Sequence, residues 1–408
     1  MVLSLLLVLG IAPRLVLFLL WAGYLSLCTV AANFLGYQWD SLLVESLFVA
    51  LFLAPPGWRE RLAPAPPAPT AAFLLARLVL FKLVFLSGFV KLASGDPTWR
   101  GLTALDFHSW TQPLPTWTSA FAAALPHAVQ ATSVLATLAL ELALPFLLFA
   151  PRRARHLGAL ALVAFQLLLM STGNFAFFNL LTIVLCLPAL DDALLARAHP
   201  RRLRARLAPD AVRAERRPSR VGGVCFAGGW AVRLAANALL LAQRLPSVRL
   251  SERAVDALQA IAPWRIANGY GLFAVMTTER PEILVEGSRD GTTWLAYEFR
   301  WKPGRLDRAP GFVAPHQPRL DWEMWFAALR GCRRSPWFAR FALRLLEGSE
   351  PVLALLEANP FPAAPPRAIR STVHRYRFAP PAQQRSTGRW WIREEPGAPF
   401  CPTFRSSP

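Results

Sequence analysis

The 408-residue chain is 54% hydrophobic and only 17% charged, with a mean hydropathy of +0.34. Soluble domains carry about a quarter charged residues, so a wholly soluble globule is excluded and an integral membrane protein is indicated. The formal net charge of +19 invites a nucleic-acid reading, but membrane proteins gather Arg and Lys in cytoplasmic loops for topological reasons, and no nucleic-acid partner is expected.

Met1–Ile11 is apolar without a basic n-region or a small-residue cleavage site, which favours a first helix over a signal peptide. Leu15–Phe34 is long enough to cross the ~30 Å hydrocarbon core. The stretch Tyr37–Glu45 leads into a shorter apolar run ending at Pro55–Pro56, with Asp40 suited to cap it. Trp58–Thr70 is a proline-rich linker, and Ala72–Leu92 spans again. A long loop, 93–128, precedes the span Val129–Ala150. The turn Pro151–His156 opens a hairpin of Leu157–Met170 and Phe175–Leu190, joined by Ser171–Asn174. The loop 191–222 carries nine Arg, and Val224–Ala242 is the last apolar run, interrupted by Arg233.

Arg14, the Trp58 linker, Pro151–His156 and the Arg-rich loop are basic and read as cytoplasmic. The segments between them are poor in Arg and Lys, and the two sets alternate along the chain. The long loop and everything after Ala242 therefore read as non-cytoplasmic. From Leu245 the composition turns soluble. Glu282–Glu286 and Trp294–Arg300 read as strands around a Ser288–Gly291 turn; Asp321–Leu329, Pro336–Leu346 and Pro351–Ala358 have helical spacing. The expected architecture is a multi-pass α-helical membrane bundle over 1–243, followed by a mixed α+β, β-rich soluble domain over 244–408.

The basic residues are almost all arginine, with Lys82, Lys91 and Lys302 the only lysines; with the Ala-rich background this suggests a GC-rich, bacterial genome. The five cysteines show no CxxC and no His-spaced pattern, so neither a metal nor a cofactor is expected. Cys28, Cys186 and Cys225 lie in apolar runs as small hydrophobes, while Cys332 and Cys401 could pair if their domain faces an oxidising compartment, a point the sequence leaves open. The usual hydrolase, nucleotide and zinc-protease signatures are absent from the sequence.

Candidate functional residues concentrate in the long loop. Lys91, Asp96, Trp99, Arg100, Asp106, His108 and Gln112 crowd into a connector much longer than a span-to-span turn needs. They read either as a polar cluster around Lys91 or as ordinary loop structure, with Asp96-Pro97 as a turn and Trp99 and Trp110 as interface anchors. Lys82 sits mid-span, where a charge costs about 2.5–3.5 kcal/mol. Glu141 of the next span is its expected partner, with Glu45 as the alternative. Lys82 and Lys91 are nine residues apart and fall on opposite helix faces. In the distal part helical spacing makes most aromatics core. An exposed subset would instead bind a partner, with Arg319, Asp321, Trp322, Trp325, Trp390 and Trp391 as candidates.

These stretches resemble the lipase maturation factors. The resemblance is carried by Tyr24–Leu27, Gln38–Glu45, Gly88–Leu92 and Gly95–Pro115, and by Ser171–Ile183. It continues through Tyr270–Ser288, Tyr297–Gly304, Pro318–Leu329, Pro336–Phe341 and Asn359–Arg370, so it covers both halves. It implies a multi-pass protein of the endoplasmic reticulum membrane, or of the inner membrane in a bacterium, with the distal domain lumenal or periplasmic. It also implies a role in folding or assembly of secreted clients such as lipases, with membrane lipids and those clients as partners and no reaction centre. No Asn-x-Ser/Thr sequon is present, so lumenal glycosylation is not supported. The alternative is an enzyme: the membrane half is distantly similar to vitamin K-dependent carboxylase-type bundles acting on a lipid or quinone, with Lys91 as base and His108 as proton partner.

Overall fold

The computed structural model describes residues 1–55, 57–58, 68–198, 220–243 and 248–406. Most of the proline-rich linker and of the Arg-rich loop lies outside the described residues, as does the Cys225 side chain. The helices are α1 (Val2–Val8), α2 (Pro13–Val30), α3 (Gln38–Leu53), α4 (Thr70–Ala93), α5 (Pro97–Arg100), α6 (Ala104–Thr111), α7 (Trp117–Ala123), α8 (His127–Leu147), α9 (Arg152–Thr172), α10 (Phe178–Cys186), α11 (Asp192–Ala198), α12 (Arg220–Ala242), α13 (Glu252–Ile261), α14 (Arg319–Arg330) and α15 (Pro336–Leu346). The strands are β1 (Pro281–Ser288), β2 (Leu295–Ala296), β3 (Glu298–Phe299), β4 (Leu356–Ala358), β5 (Ala368–Phe378), β6 (Trp391–Arg393) and β7 (Ala398–Arg405). A helical first part and a strand-bearing second part are thus present, as composition required. Among the described residues four helices, α2, α4, α8 and α9, are long and apolar enough to cross a membrane. The basic turn expected at Pro151–His156 is mostly helix, since α9 already begins at Arg152.

Packing divides the chain into two units. The first comprises Met1–Gly95, Ala136–Gln166 and Leu180–Ala274; the second comprises Asp96–Leu135, Leu167–Asn179 and Val275–Pro408. The expected division at 243/244 follows the chain, whereas packing gathers the long loop and the Ser171–Asn174 turn with the distal sequence.

Within the first unit, α4 is the most enclosed of the four long helices. Its register against α8 is set at Gly88, where an added Cβ would lie 2.8 Å from Glu141 Cβ. Within the second unit, β5 organises an antiparallel sheet in the order β2-β1-β5-β6, with β7 also paired to β5. β1 runs along it from Pro281↔Arg375 to Ser288↔Ala368. The expected hairpin forms between β1 and β2, with Gly291 at φ +78°. Asp290 Oδ1 accepts from the Thr292 and Thr293 amides to hold the turn.

The amphipathic α15 buries Trp337, Phe338, Phe341, Ala342, Leu345 and Leu346, one face of a 3.6-residue repeat. Phe338 meets Phe400 of β7 edge-on at 5.0 Å. Each such side chain contributes about 1.5–3 kcal/mol by leaving water. A Cys332–Cys401 disulfide ties the turn after α14 to β7. The helix expected over Pro351–Ala358 is corrected: only Glu350–Leu353 is helical, and Leu356–Ala358 pairs with β3 instead. The free edge of Glu298–Phe299 captures the chain once Leu356 turns inward, at 1% exposure.

Candidate functional site

The long loop is a built structure in the second unit. Asp96 caps α5: its Oδ1 accepts from the Thr98 amide at 2.7 Å, and its Oδ2 from the Met276 amide at 2.9 Å. Burial alone would raise the Asp96 pKa, but these hydrogen bonds and those from the Thr98 hydroxyl and Trp99 amide hold it below the usual carboxylate range. Trp99 is buried and Arg100 is exposed. Asp106 takes His127 Nδ1 at 2.9 Å, and His108 stacks on Phe175 at 6.1 Å. Gln112 Nε2 donates to Thr172 O at 2.8 Å. A Cβ at Gly173 would meet Gln112 Oε1 and the Phe175 ring, so any other residue there requires those side chains to shift.

Two residues outside the expected set hold this loop together. Asn174 is 1% exposed; its Nδ2 donates to Leu114 O and Gly311 O, and its Oδ1 accepts from the Val313 and Ala314 amides. Arg280, fully buried, donates to the carbonyls of Trp110, Gln112 and Pro113. It also pairs with Glu282 at 2.7 Å, and Lys302 reaches the other Glu282 oxygen at 3.0 Å. Burial pulls the Arg280 pKa down, and Glu282 opposes that pull. The Asn174 signal was visible in the sequence as the last residue of a short polar turn. Arg280 was not distinguishable from any other arginine.

The intramembrane charges pair differently from the expectation. Lys91 takes Glu141, at 2.7–2.8 Å to both oxygens, and Lys82 takes Glu45 at 2.7 Å. The named Lys82–Glu141 pair is corrected because Gly88 lies against Glu141, level with Lys91. Lys82 is nine residues away, about 13 Å along the helix. Lying on opposite faces of α4, the two lysines find different partners. Glu45 further accepts from Arg233 Nη2 at 2.8 Å, Asn268 Nδ2 at 2.9 Å and Tyr270 Oη at 2.7 Å. Within the first unit Lys91 is held by Glu141, and within the second unit Asp106 is held by His127. Among the described residues no His/Cys/Asp/Glu group is arranged to hold a metal.

The distal aromatics offered as a client surface are core. Trp322, Trp325 and Trp391 are 3%, 8% and 2% exposed, and Asp321 is 2% exposed; Arg319 and Trp390 are half-buried. Trp325 Nε1 donates to Thr111 O at 2.9 Å, and Trp391 stacks on Phe378 at 4.5 Å beneath the Arg280 guanidinium. Asp321 Oδ1 accepts the Trp301 and Lys302 amides. Burial outweighs those bonds and raises its pKa. The aromatic surface of this unit lies elsewhere, at Trp117, Phe121 and Phe312, which are 45%, 59% and 45% exposed. Trp117 contacts Phe121 at 6.0 Å and Phe312 at 5.9 Å, both edge-on.

A family model for the lipase maturation factor transmembrane domain matches residues 1–197, and one for the lipase maturation factor C-terminal domain matches residues 266–401. The chain belongs to the lipase maturation factor family. Human lipase maturation factor 2 is 37% identical over 477 residues, covering 92% of this chain and 67% of that protein. Mouse lipase maturation factor 1 is 35% identical over 419 residues, covering 98% of this chain and 72% of that protein. The bovine lipase maturation factor 1 is 34% identical, with 98% and 74% covered. No solved structure matches the chain. In this lipase maturation factor homologue the stretches that carry the resemblance touch one another. Tyr24 Oη donates to Asp40 Oδ1 at 2.6 Å, and Gln38 Oε1 accepts from the Gly271 amide at 3.1 Å.

Proposed function

We propose that this membrane protein assists the maturation of secreted clients, lipases among them, by presenting its second unit on the non-cytoplasmic side. That side is the lumen of the endoplasmic reticulum, or the periplasm if the source is bacterial. The observation that carries the reading is the Trp117–Phe121–Phe312 corner. It is an uncovered aromatic surface on a unit in which Trp99, Trp322, Trp325, Trp337 and Trp391 are buried and Trp110, Trp294, Trp301 and Trp390 are half-buried. A maturation factor needs no reacting group. It needs a surface that binds a partly folded client better than the native one, and exposed aromatics do so because only the unfinished client offers apolar area in return. The Cys332–Cys401 disulfide fits an oxidising compartment, and the alternation of basic and non-basic loops supports the same orientation.

The test is a photo-crosslinker at Phe121 in the full-length chain, in native membranes, during synthesis of a secreted lipase. The expected result is capture of the newly made lipase before it acquires activity, with Phe312→Ser reducing capture several-fold. Crosslinks to lipid alone would assign the corner to the membrane interface and overturn the reading.

A further inference from the structure

The buried charges of the first unit do not balance. Glu45, Lys82 and Arg233 bring one carboxylate and two cations together with side chains at most 6% exposed. Glu45 is saturated: Oε1 accepts from Lys82 and Arg233, and Oε2 from the Asn268 amide, Asn268 Nδ2 and Tyr270. With all three groups ionised, one positive charge is left in excess. A charge in such a setting is costly unless an opposite charge and hydrogen bonds meet it.

A second, independent observation falls at the same place. Trp230 Nε1, Arg233 Nε, Arg233 Nη1 and Asn237 Nδ2 are buried and lack a hydrogen-bond partner among the described residues. Every one of these atoms is a donor that cannot accept. They come from positions i, i+3 and i+7 of α12, which share one helix face. Asn237 Oδ1 already accepts from Lys82 at 2.7 Å, so its amide points its remaining capacity away from that bond. Water would satisfy donors and leave the charge. A group that supplies several acceptor oxygens and one negative charge satisfies both.

We infer that this face of α12 binds an oxyanion, either the carboxylate or phosphate group of an acyl lipid or a free inorganic anion, against Arg233 between Trp230 and Asn237. The depth suits either source. Glu45 lies seven residues along α3 from Gln38, about 10 Å from the helix start. Gly228 and the 46%-exposed Val232 lie on the opposite face of α12, so the unmet donors sit on the inward face of the helix. Intramembrane ionisable residues mark functional sites by default, and this one carries its own unmet demand.

The test uses the full chain, delipidated in a neutral detergent, with thermal unfolding followed against three probes: inorganic phosphate, oleate and methyl oleate. A saturable rise in Tm with oleate but not methyl oleate identifies the lipid source, and a rise with phosphate identifies a free anion. No rise with either anion, or equal rises with oleate and its uncharged ester, overturns the inference. Asn237→Asp supplies the missing negative charge internally while keeping the acceptor for Lys82. It is expected to abolish the anion response and to leave the anion-free Tm equal or higher. A full response in that variant would place binding elsewhere. If Asn237→Asp does not fold, Trp230→Phe serves: it deletes one donor and is expected to weaken the anion midpoint about 2–10-fold, the worth of one hydrogen bond. An unchanged midpoint there also overturns the site.

Discussion

Asp96 joins the start of the long loop to the start of the distal sequence, because its two carboxylate oxygens serve different segments, α5 through Thr98 and the strand approach through Met276. Its pKa is held below the unfolded value, so it contributes stability that is fully present above about pH 4–5 and is lost as pH falls through the lowered value. Asp96→Asn keeps one acceptor and loses the charge. At neutral pH it is expected to cost about 1 kcal/mol per hydrogen bond weakened. Unfolding curves from pH 7 to pH 3 should converge at the acid end, because the wild type there loses the ionised form that the variant lacks. Parallel curves would mean that the charge of Asp96 is not what holds the junction. Sequence reading found this aspartate and its turn, since Asp-Pro announces a cap. It placed Asp40 one role away: Asp40 sits at the third helical position and reaches back to the Tyr37 amide at 3.3 Å, which the residue type permits equally.

Elements whose periodicity matches their burial were legible, and those defined by partners far along the chain were not. The apolar runs of α4, α8 and α9 announced themselves, and so did α15, which falls where its spacing put it, Pro336–Leu346. The partner of Lys82 did not, because span centres alone do not fix the register between two helices, and here Gly88 fixes it. β5 was hidden by its own composition: Arg370, Thr372, His374 and Arg375 interrupt the apolar pattern of a strand paired on both edges. The long loop was legible as exceptional but not as attached, since its anchor, Arg280, lies about 170 residues downstream. Arg280→Met is the corresponding test. It would strand three buried carbonyls and leave Glu282 with Lys302, and breaking a buried pair in this way costs about 3–5 kcal/mol. Hydrogen exchange should speed up across 110–114 with little change in α15, and Arg280→Lys should rescue only in part because an ammonium lacks the planar fork. Uniform loss of protection across the unit would instead mean that Arg280 supports the fold rather than the loop.

For the whole molecule, two features bear on orientation by different physics. Charge alternation depends on insertion, and the nine Arg of 191–222 strongly favour retention on the cytoplasmic side. The disulfide depends on redox compartment: it links residues 69 apart, so its loss should cost about 2–4 kcal/mol, and cytosolic reductants would keep it open. Together they predict a particular digestion pattern in sealed vesicles with the cytoplasmic face outward. Trypsin should cut within 191–222 and leave 275–406 protected until detergent is added. The protected fragment should take up a thiol reagent at Cys332 and Cys401 only after denaturation with a reductant, and Cys332→Ser should make Cys401 reactive without one. Protection depends on the side of the membrane alone and labelling on oxidation alone, so the two readouts fail separately. Digestion of 275–406 in sealed vesicles would move the aromatic corner to the cytosol and remove secreted proteins as its clients, while a protected but reduced pair would keep the orientation and discard the redox argument.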